Sequence, residues 1–479
     1  MKKLNYLHSL LVFLALATLL LLVISDSVPA ALAVDDGQVS CNGVGQNGAT
    51  YSGWFCPSDS RIAYWGRWNK PTAGSLAPAI TIAAGSYFIF QFTNTTHVSL
   101  DFIAPPPSAV FSGYSQGIYV KFFPNALSQP QDFCTSIFNR TPPPYPMYHY
   151  CGSNFFSAGA GHESVQYMNI QGDASQGTFN PSTTYTMVVY VQSEGNWYWS
   201  GSAADNAARF REIRLDSSGT LINLPSSSSK NGLTNPDLSI EFAGASITAG
   251  TSDGYMRSFT AQAGTLLNNT GHGVPLGLPN YSVEYSNWGL PGRAVSFDNG
   301  PPPPSSDFFN YANINWRSNY ANNGSSLNSI QTPNIVVVDF GTNDFIHNPN
   351  APVSYTNALI NYINQVFSYY PGVNIYVIAP LACPSSYCNG IYSFHDAAFS
   401  AVQQVYTYNN AVHFVNSTNW LPPSCGNDSG EDYPEWLLPD CLHLSNRGAK
   451  DAGQLLANRI SGDLSKDIYN NVHIAPSLQ

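Results

Sequence analysis

Charge is scarce in this 479-residue chain. Only 10 % of residues are charged, 18 basic against 29 acidic, for a formal net charge of −11. A typical soluble domain carries about a quarter charged residues. Phosphate recognition needs clustered Lys and Arg, so nucleic acid is excluded as a partner, and so is a polybasic membrane-surface role. No C-x-x-C pair occurs, and neither a metal nor another cofactor is expected. After the N-terminus no apolar run is long enough to span a bilayer, and no internal repeat is visible. What is present is 43 % hydrophobic residues, with 29 Tyr and 9 Trp. That content supports a sizeable core, and the polar but uncharged remainder suits a neutral ligand.

The N-terminus carries Lys2 and Lys3, an apolar or small run from Leu10 to Ile24, and Ala31-Leu32-Ala33. This reads as a secretory signal peptide over 1–33, cut after Ala33, leaving no stable membrane anchor and an extracellular protein. An uncleaved anchor is the alternative, but the run is short for a span of about 20 residues. Secretion predicts oxidised cysteines. The eight Cys fall into close pairs, and four local disulfides are the simplest arrangement: Cys41–Cys56, Cys134–Cys151, Cys383–Cys388 and Cys425–Cys441. Eight cysteines allow 105 connectivities, so proximity alone does not fix the pairing. N-x-S/T sequons stand at Asn94, Asn139, Asn268, Asn280, Asn323, Asn416 and Asn427, glycosylation sites if the host is eukaryotic.

Residues 34–224 read as all-β. Short runs rich in Val, Ile, Tyr, Phe and Thr (Ile80–Ala83, Tyr87–Phe92, Val98–Ile103, Gly117–Phe122, Tyr185–Gln192) are bounded by Pro, Gly and Asn clusters. They predict a sandwich of two antiparallel sheets. A Ser-rich linker occupies 225–235. From 236 to 479 strands alternate with helices: strands at Leu238–Ala243, Asn334–Phe340, Asn374–Ala379 and Val412–Val415, helices at Tyr355–Tyr369, Ala397–Tyr408 and Arg447–Leu464. That alternation predicts an α/β region with a parallel sheet, whose sites gather at the carboxyl ends of its strands.

Four segments of the second region carry chemistry. Glu241–Gly250 ends a strand in small residues and places Ser246 at the start of a helix. Position 248 is Thr, so this is not the G-x-S-x-G elbow, and alone Ser246 also reads as a helix N-cap. Ser286–Arg293 contains Gly289 and Gly292, either of which can bring a backbone N–H to a substrate oxygen; alone it reads as an ordinary turn. Val337–Asp344 delivers Asn343, a possible oxyanion donor or a turn residue. Pro439–Gly448 holds Asp440 and His443 three apart. They are spaced for a carboxylate to fix an imidazole, or for capping the last helix.

Taken together, in the order Ser, Gly, Asn, Asp-x-x-His, these segments resemble the four sequence blocks of the SGNH (GDSL) hydrolase superfamily over about residues 237–464. The resemblance implies a three-layer α/β/α sandwich with Ser246 as nucleophile, His443 as general base and Asp440 as its orienter. The oxyanion hole would be the Ser246 N–H, the Gly292 N–H (Gly289 being the alternative) and the Asn343 side chain. Ser60–Trp68, with its Gly66-Arg67-Trp68, and Phe210–Asp216 before the linker add a second resemblance. A jelly-roll-like β domain followed by an SGNH domain is similar to carbohydrate esterase family 2, whose members deacetylate plant-type polysaccharides. The expected partner is then an acetylated polysaccharide or oligosaccharide, with Trp288 and Trp436 as candidate sugar platforms. Two other functions stay open: a lipid or general carboxylester hydrolase, and a catalytically impaired glycan-binding protein. One departure bears on the choice. The superfamily's first block reads Gly-Asp-Ser, and here it is Gly244-Ala245-Ser246.

Overall fold

The structure is a computed structural model. It describes residues 40–41, 44–45 and 52–469, apart from several segments of which the longest are 104–116, 125–152, 193–207, 225–237, 268–282, 297–327 and 422–435. The signal peptide and linker expected from the sequence lie outside the described residues. The chain divides into 1–38 and a compact body of 39–479, and all that follows concerns that body.

Its first part is the expected pair of antiparallel sheets. The strands are β1 (Trp54–Phe55), β2 (Ala63–Trp65), β3 (Ala79–Thr81), β4 (Tyr87–Thr93), β5 (Val98–Ile103), β6 (Gly117–Pro124), β7 (Ser153–Phe155), β8 (Val165–Ile170), β9 (Tyr185–Gln192), β10 (Ala208–Leu215) and β11 (Thr220–Ile222). One sheet runs β7-β6-β9-β4-β11, with β2 also on β4; the other runs β8-β5-β10-β1, with β3 on β10. Alternation along β4 decides its two faces. Phe88, Phe90 and Phe92 enter the core between the sheets, where Phe88 stacks on Phe210 of β10 at 4.2 Å. Tyr87 and Ile89 point the other way and join a core shared with the α/β part. Both faces are buried, so Tyr-Phe-Ile-Phe-Gln-Phe reads as a near-continuous apolar run. The sequence reading passed over β10 as a strand. A bulge between Phe210 and Glu212 shifts its register, so Phe210, Ile213 and Leu215 all face inward and strict alternation is lost.

The second part is a five-stranded parallel sheet: β12 (Leu238–Gly244), β13 (Val283–Gly289), β14 (Ile335–Asp339), β15 (Asn374–Ile378) and β16 (Val412–Val415). The order is β13-β12-β14-β15-β16. Its helices are α1 (Ser246–Ala249), α2 (Phe259–Leu267), α3 (Thr342–His347), α4 (Pro352–Tyr369), α5 (Cys388–Tyr406) and α6 (Asn446–Tyr469). One face of the sheet buries Ile240, Phe242 and Val337 against α2 and α6. The other buries Val336, Val338 and Val377 against α4 and α5. This is the three-layer α/β/α arrangement, preceded by a β-sandwich.

Two local expectations are corrected. Residues 283–289 form an edge strand rather than the turn that the second block suggested alone; Val283, Tyr285, Asn287 and Gly289 are its buried, alternating set. Helix α5 starts at Cys388, well before Ala397. Asn389 and Gly390, weak helix formers, disguise its first turn. No helix among the described residues is long and apolar enough to cross a membrane.

Candidate active site

Strand order places the site. Read in chain order, the sheet runs 2-1-3-4-5, so successive connections leave β12 in opposite directions. In sheets of this kind ligands bind at that switch, outside the carboxyl ends of the strands, here those of β12 and β14. In register, Gly244 of β12 lies opposite Gly289 of β13 on one side and Asp339 of β14 on the other. Ser246 is two residues beyond Gly244, and Asn343 is four beyond Asp339. The fold thus brings both to the same end of adjacent strands. Each is largely buried, at 7 % and 8 % exposure.

Ser246 is the first residue of α1, a single turn closed by Gly250 in the left-handed region at φ 73°. The N-cap is Ala245, which makes no side-chain capping bond. The turn is held from its far side. Thr248 Oγ1 donates to Asp339 Oδ2 at 2.8 Å. The Thr248 carbonyl accepts from Asn287 Nδ2 at 2.5 Å and from Thr260 Oγ1 at 3.2 Å. Asn287 Nδ2 also reaches Thr260 Oγ1 at 3.1 Å, which ties α2 into the same buried set. Burial pushes the Asp339 carboxyl up to about 7, against the opposing pull of the Thr248 hydrogen bond. None of Thr248, Asp339 or Asn287 was singled out as a site residue from the sequence. The available signal was an Asp ending a run of three valines, where a carboxylate needs a partner.

The same network settles what Gly289 does. Its N–H donates to Asn287 Oδ1 at 2.6 Å. A Cβ there would stand 2.3 Å from the Ala249 nitrogen. Gly289 therefore lets α1 lie against β13, and its donor is already committed. Gly292 lies outside the described residues. The segment just after it is anchored by Asp344, whose carboxylate accepts from the Val295 N–H at 3.1 Å and from the Ser296 N–H at 2.7 Å and hydroxyl. Burial raises the Asp344 carboxyl, opposed by these bonds. On α3, Asp344 thus fixes the neighbouring loop, beside Asn343 at the same end of the sheet. The turn into α3 needs Gly341, at φ 123°, where a Cβ would meet Pro380 and the Tyr355 hydroxyl at 2.7 and 2.8 Å.

His443 is half-buried in the turn leading to α6, and its Nε2 is shielded from solvent. That turn is stitched to the preceding segment by the Leu437–Leu444 bridge and by the Ser445 N–H bonding the Trp436 carbonyl at 3.0 Å. Leu437, Leu444 and Ile247 of α1 share one hydrophobic core, so the serine turn and the histidine turn pack on common ground. Ser445 caps α6, its Oγ accepting from the Gly448 N–H at 3.1 Å. His443 is thus not the cap. Cys441 holds φ 57°, a strained value for a residue with a side chain, and is disulfide-bonded, as is Cys56. Asp440 lies outside the described residues. So do Cys134, Cys151, Cys383 and Cys425, the side chains of Cys41, Cys388 and Trp288, and the sequons at Asn139, Asn268, Asn280, Asn323 and Asn427. Asn94 and Asn416 are exposed. Trp436 packs on α6: its indole N–H donates to Asp451 Oδ2 at 2.7 Å and the Arg447 guanidinium lies 3.8 Å from its ring centre. Among the described residues no group of three His, Cys, Asp or Glu is placed to hold a metal.

The comparisons agree with this geometry. Residues 240–456 match the family described as GDSL-like Lipase/Acylhydrolase. No curated protein matches the chain in sequence. A family two carbohydrate esterase from Clostridium thermocellum, solved with cellohexaose, is 15 % identical, with 85 % of this chain and 99 % of that one covered at a TM-score of 0.55. A family 2 enzyme from Corynascus thermopiles (Myceliophthora fergusii) is 17 % identical, covering 84 % and 99 % at 0.53. The acetyl xylan esterase Est2A from Butyrivibrio proteoclasticus is 12 % identical, covering 86 % and 99 % at 0.54. At these identities the likeness is one of fold, and it spans the sandwich as well as the α/β part. Residues 240–456 of this chain thus match a GDSL-like lipase/acylhydrolase domain, and the whole fold, β-sandwich included, is similar to that of the family two carbohydrate esterase structures.

Proposed function

We propose that the protein is a secreted serine esterase that removes O-acetyl groups from a polysaccharide. The observation that carries this reading is the placement of Ser246 and Asn343 at the switch point of the sheet, with His443 on a turn sharing the core of the serine turn. Ser246 Oγ attacks the ester carbonyl while His443 takes its proton. The new oxyanion is met by the Ser246 N–H, the Asn343 amide and the Gly292 N–H, each such donor worth about 3 kcal/mol. His443 gives its proton to the departing sugar oxygen, leaving an acetyl-enzyme. A water, deprotonated by His443, attacks the acetyl carbonyl, and acetate leaves as Ser246 regains its proton. Asp440 orients the imidazole throughout. The sugar preference is supported by the family 2 arrangement of both parts and by the sparse charge of the chain.

One observation favours a second reading, a catalytically impaired glycan binder: Ala245 offers the serine turn no side-chain cap. The test separates the two. Secreted protein is assayed on 4-nitrophenyl acetate, 4-nitrophenyl octanoate and acetylated xylan, each beside Ser246→Ala. Acetate release from xylan that depends on Ser246, with little octanoate cleavage, supports the proposal. Preference for octanoate moves the function to a lipid or general carboxylester hydrolase. No Ser246-dependent turnover on any of the three leaves the binder.

A further inference from the structure

Helix α5 carries an aromatic row that packing does not explain. Tyr392, Phe399 and Tyr406 recur every seven residues and are 55 %, 48 % and 52 % exposed. Seven helical residues fall about 20° short of two full turns, so the three rings form one stripe. Between them, on the same side, stand exposed Asp396 and Gln403, four residues after the first and second rings. Asp396 is the single charged residue of the helix. The rings are braced from below. Phe399 packs edge-on against Phe414 at 5.3 Å, and Tyr392 lies 5.8 Å from the His395 ring. His395 is itself pinned, with Nε2 donating to the Pro380 carbonyl at 3.0 Å.

We propose that this stripe binds a neutral β-1,4-linked polysaccharide chain lying along α5, away from the serine. Three features select that occupant. Seven residues of helix advance about 10.5 Å, close to the length of two β-1,4-linked pyranoses, so each ring meets an equivalent sugar face. Apolar rings alternating with a carboxylate and an amide match a ligand with C–H faces and hydroxyl edges, whereas a protein seam would place apolar residues at both positions of the row. The area is also wrong for a second copy. Three half-exposed rings offer roughly 300–400 Å², while a stable protein interface takes about 800 Å² from each partner. The helix runs antiparallel to the strands, so Tyr392 lies toward the end of the sheet where Ser246 sits, and the bound chain would lead from that rim down the side of the domain.

The choice of a polysaccharide rests on the proposed function, but the binding is measured apart from it. In a Ser246→Ala background, affinity gels containing soluble xylan, hydroxyethylcellulose or amylose report retardation. The β-1,4 polymers are expected to retard the protein and amylose, with its curved α-1,4 chain, is not. Replacing Tyr392, Phe399 and Tyr406 together with Ala is expected to weaken retardation about tenfold or more. A Leu triple variant, which keeps the bulk over Phe414 and removes the flat faces, should weaken it comparably. In the Ser246 form, both triple variants should hydrolyse 4-nitrophenyl acetate at the parent rate. No retardation by either β-1,4 polymer overturns the proposal, and so does retardation unchanged in both triple variants. A dimer in sedimentation that the substitutions dissolve, with polysaccharide binding intact, assigns the stripe to self-association and also overturns it. If the stripe result holds while no ester is cleaved, only the esterase reading fails.

Discussion

The sandwich and the α/β region bury carboxylates in opposite ways. In the sandwich, Asp101 of β5 sits opposite Glu212 of β10, and Arg214 reaches both, at 2.6 Å to Asp101 and 2.5 Å to Glu212. Burial pushes Asp101 up to about 9, offset by Arg214 and reinforced by its carboxyl neighbour. The Arg214 guanidinium also lies 3.8 Å from the Trp54 ring centre. Charge is neutralised on the spot, and the cluster braces two strands. In the α/β region, Asp339 instead accepts from a hydroxyl, that of Thr248, which belongs to the serine turn. A buried carboxyl in the first region holds a sheet together; in the second it holds the turn that carries Ser246.

Breaking the second arrangement at its centre has the largest expected effect. His443→Ala should lower kcat about 10⁴-fold or more on any ester that Ser246 cleaves, with the melting temperature little changed. A loss under tenfold would remove His443 from the reaction. In the sandwich, Arg214→Met removes the cation that two buried acids share. It should destabilise the protein by about 3–5 kcal/mol in urea unfolding, since removing one partner of a buried pair strands the other. A midpoint within error of the parent would show that the cluster is not structural.

A smaller effect tests how Asp339 acts. Thr248→Val and Asp339→Ala should reduce kcat about 10- to 100-fold with KM nearly unchanged, because a misaligned serine binds substrate but reacts slowly. Thr248→Ser and Asp339→Asn, which keep a hydroxyl and an acceptor, should recover most of the rate. If the conservative pair is as slow as the others, positioning is not the cause.

The pH dependence compares both regions at once. Asp101 and Asp339 are raised from 3.8 to about 9 and about 7 by burial. The folded chain keeps these protons where the unfolded chain has released them. The contribution is therefore full below about pH 4 and is lost as pH rises through each folded value. Thermal melting from pH 5 to 9 should fall with pH, Asp339→Asn flattening only the part below about pH 7 and Asp101→Asn flattening the whole range. Slopes identical to the parent in both variants would contradict the shifts. The smallest change is Trp436→Phe, which removes the indole bond to Asp451. It should cost about 1 kcal/mol and leave kcat on acetylated xylan unaltered if the ring serves α6. A large rise in KM instead would return Trp436 to the sugar site.

Much of this was legible along the chain because it is local. Apolar runs such as Ile335–Val338 announce a buried parallel strand, and Tyr355–Tyr369 announces a helix by its spacing. The four blocks appear as short, nearly contiguous strings, since each is one strand end with its following turn. What the strings withheld was who meets whom. Strand Val283–Gly289 looked like a turn because Ser, Asn, Trp and Gly dominate its end, and only pairing with β12 makes it a strand. Gly289 stood as the alternative donor to Gly292, and only the fold shows Asn287 taking the Gly289 N–H. Asp440 and His443 could equally have capped the last helix along the sequence; in the fold that cap is Ser445. The residue order determined most of the elements, because helix and strand preferences act over a few neighbours. Tertiary structure alone decided that Asp339, 91 residues from Thr248, would hold the serine turn. A buried carboxylate takes whatever donor the strand order brings to it, and strand order is written in no single stretch of sequence.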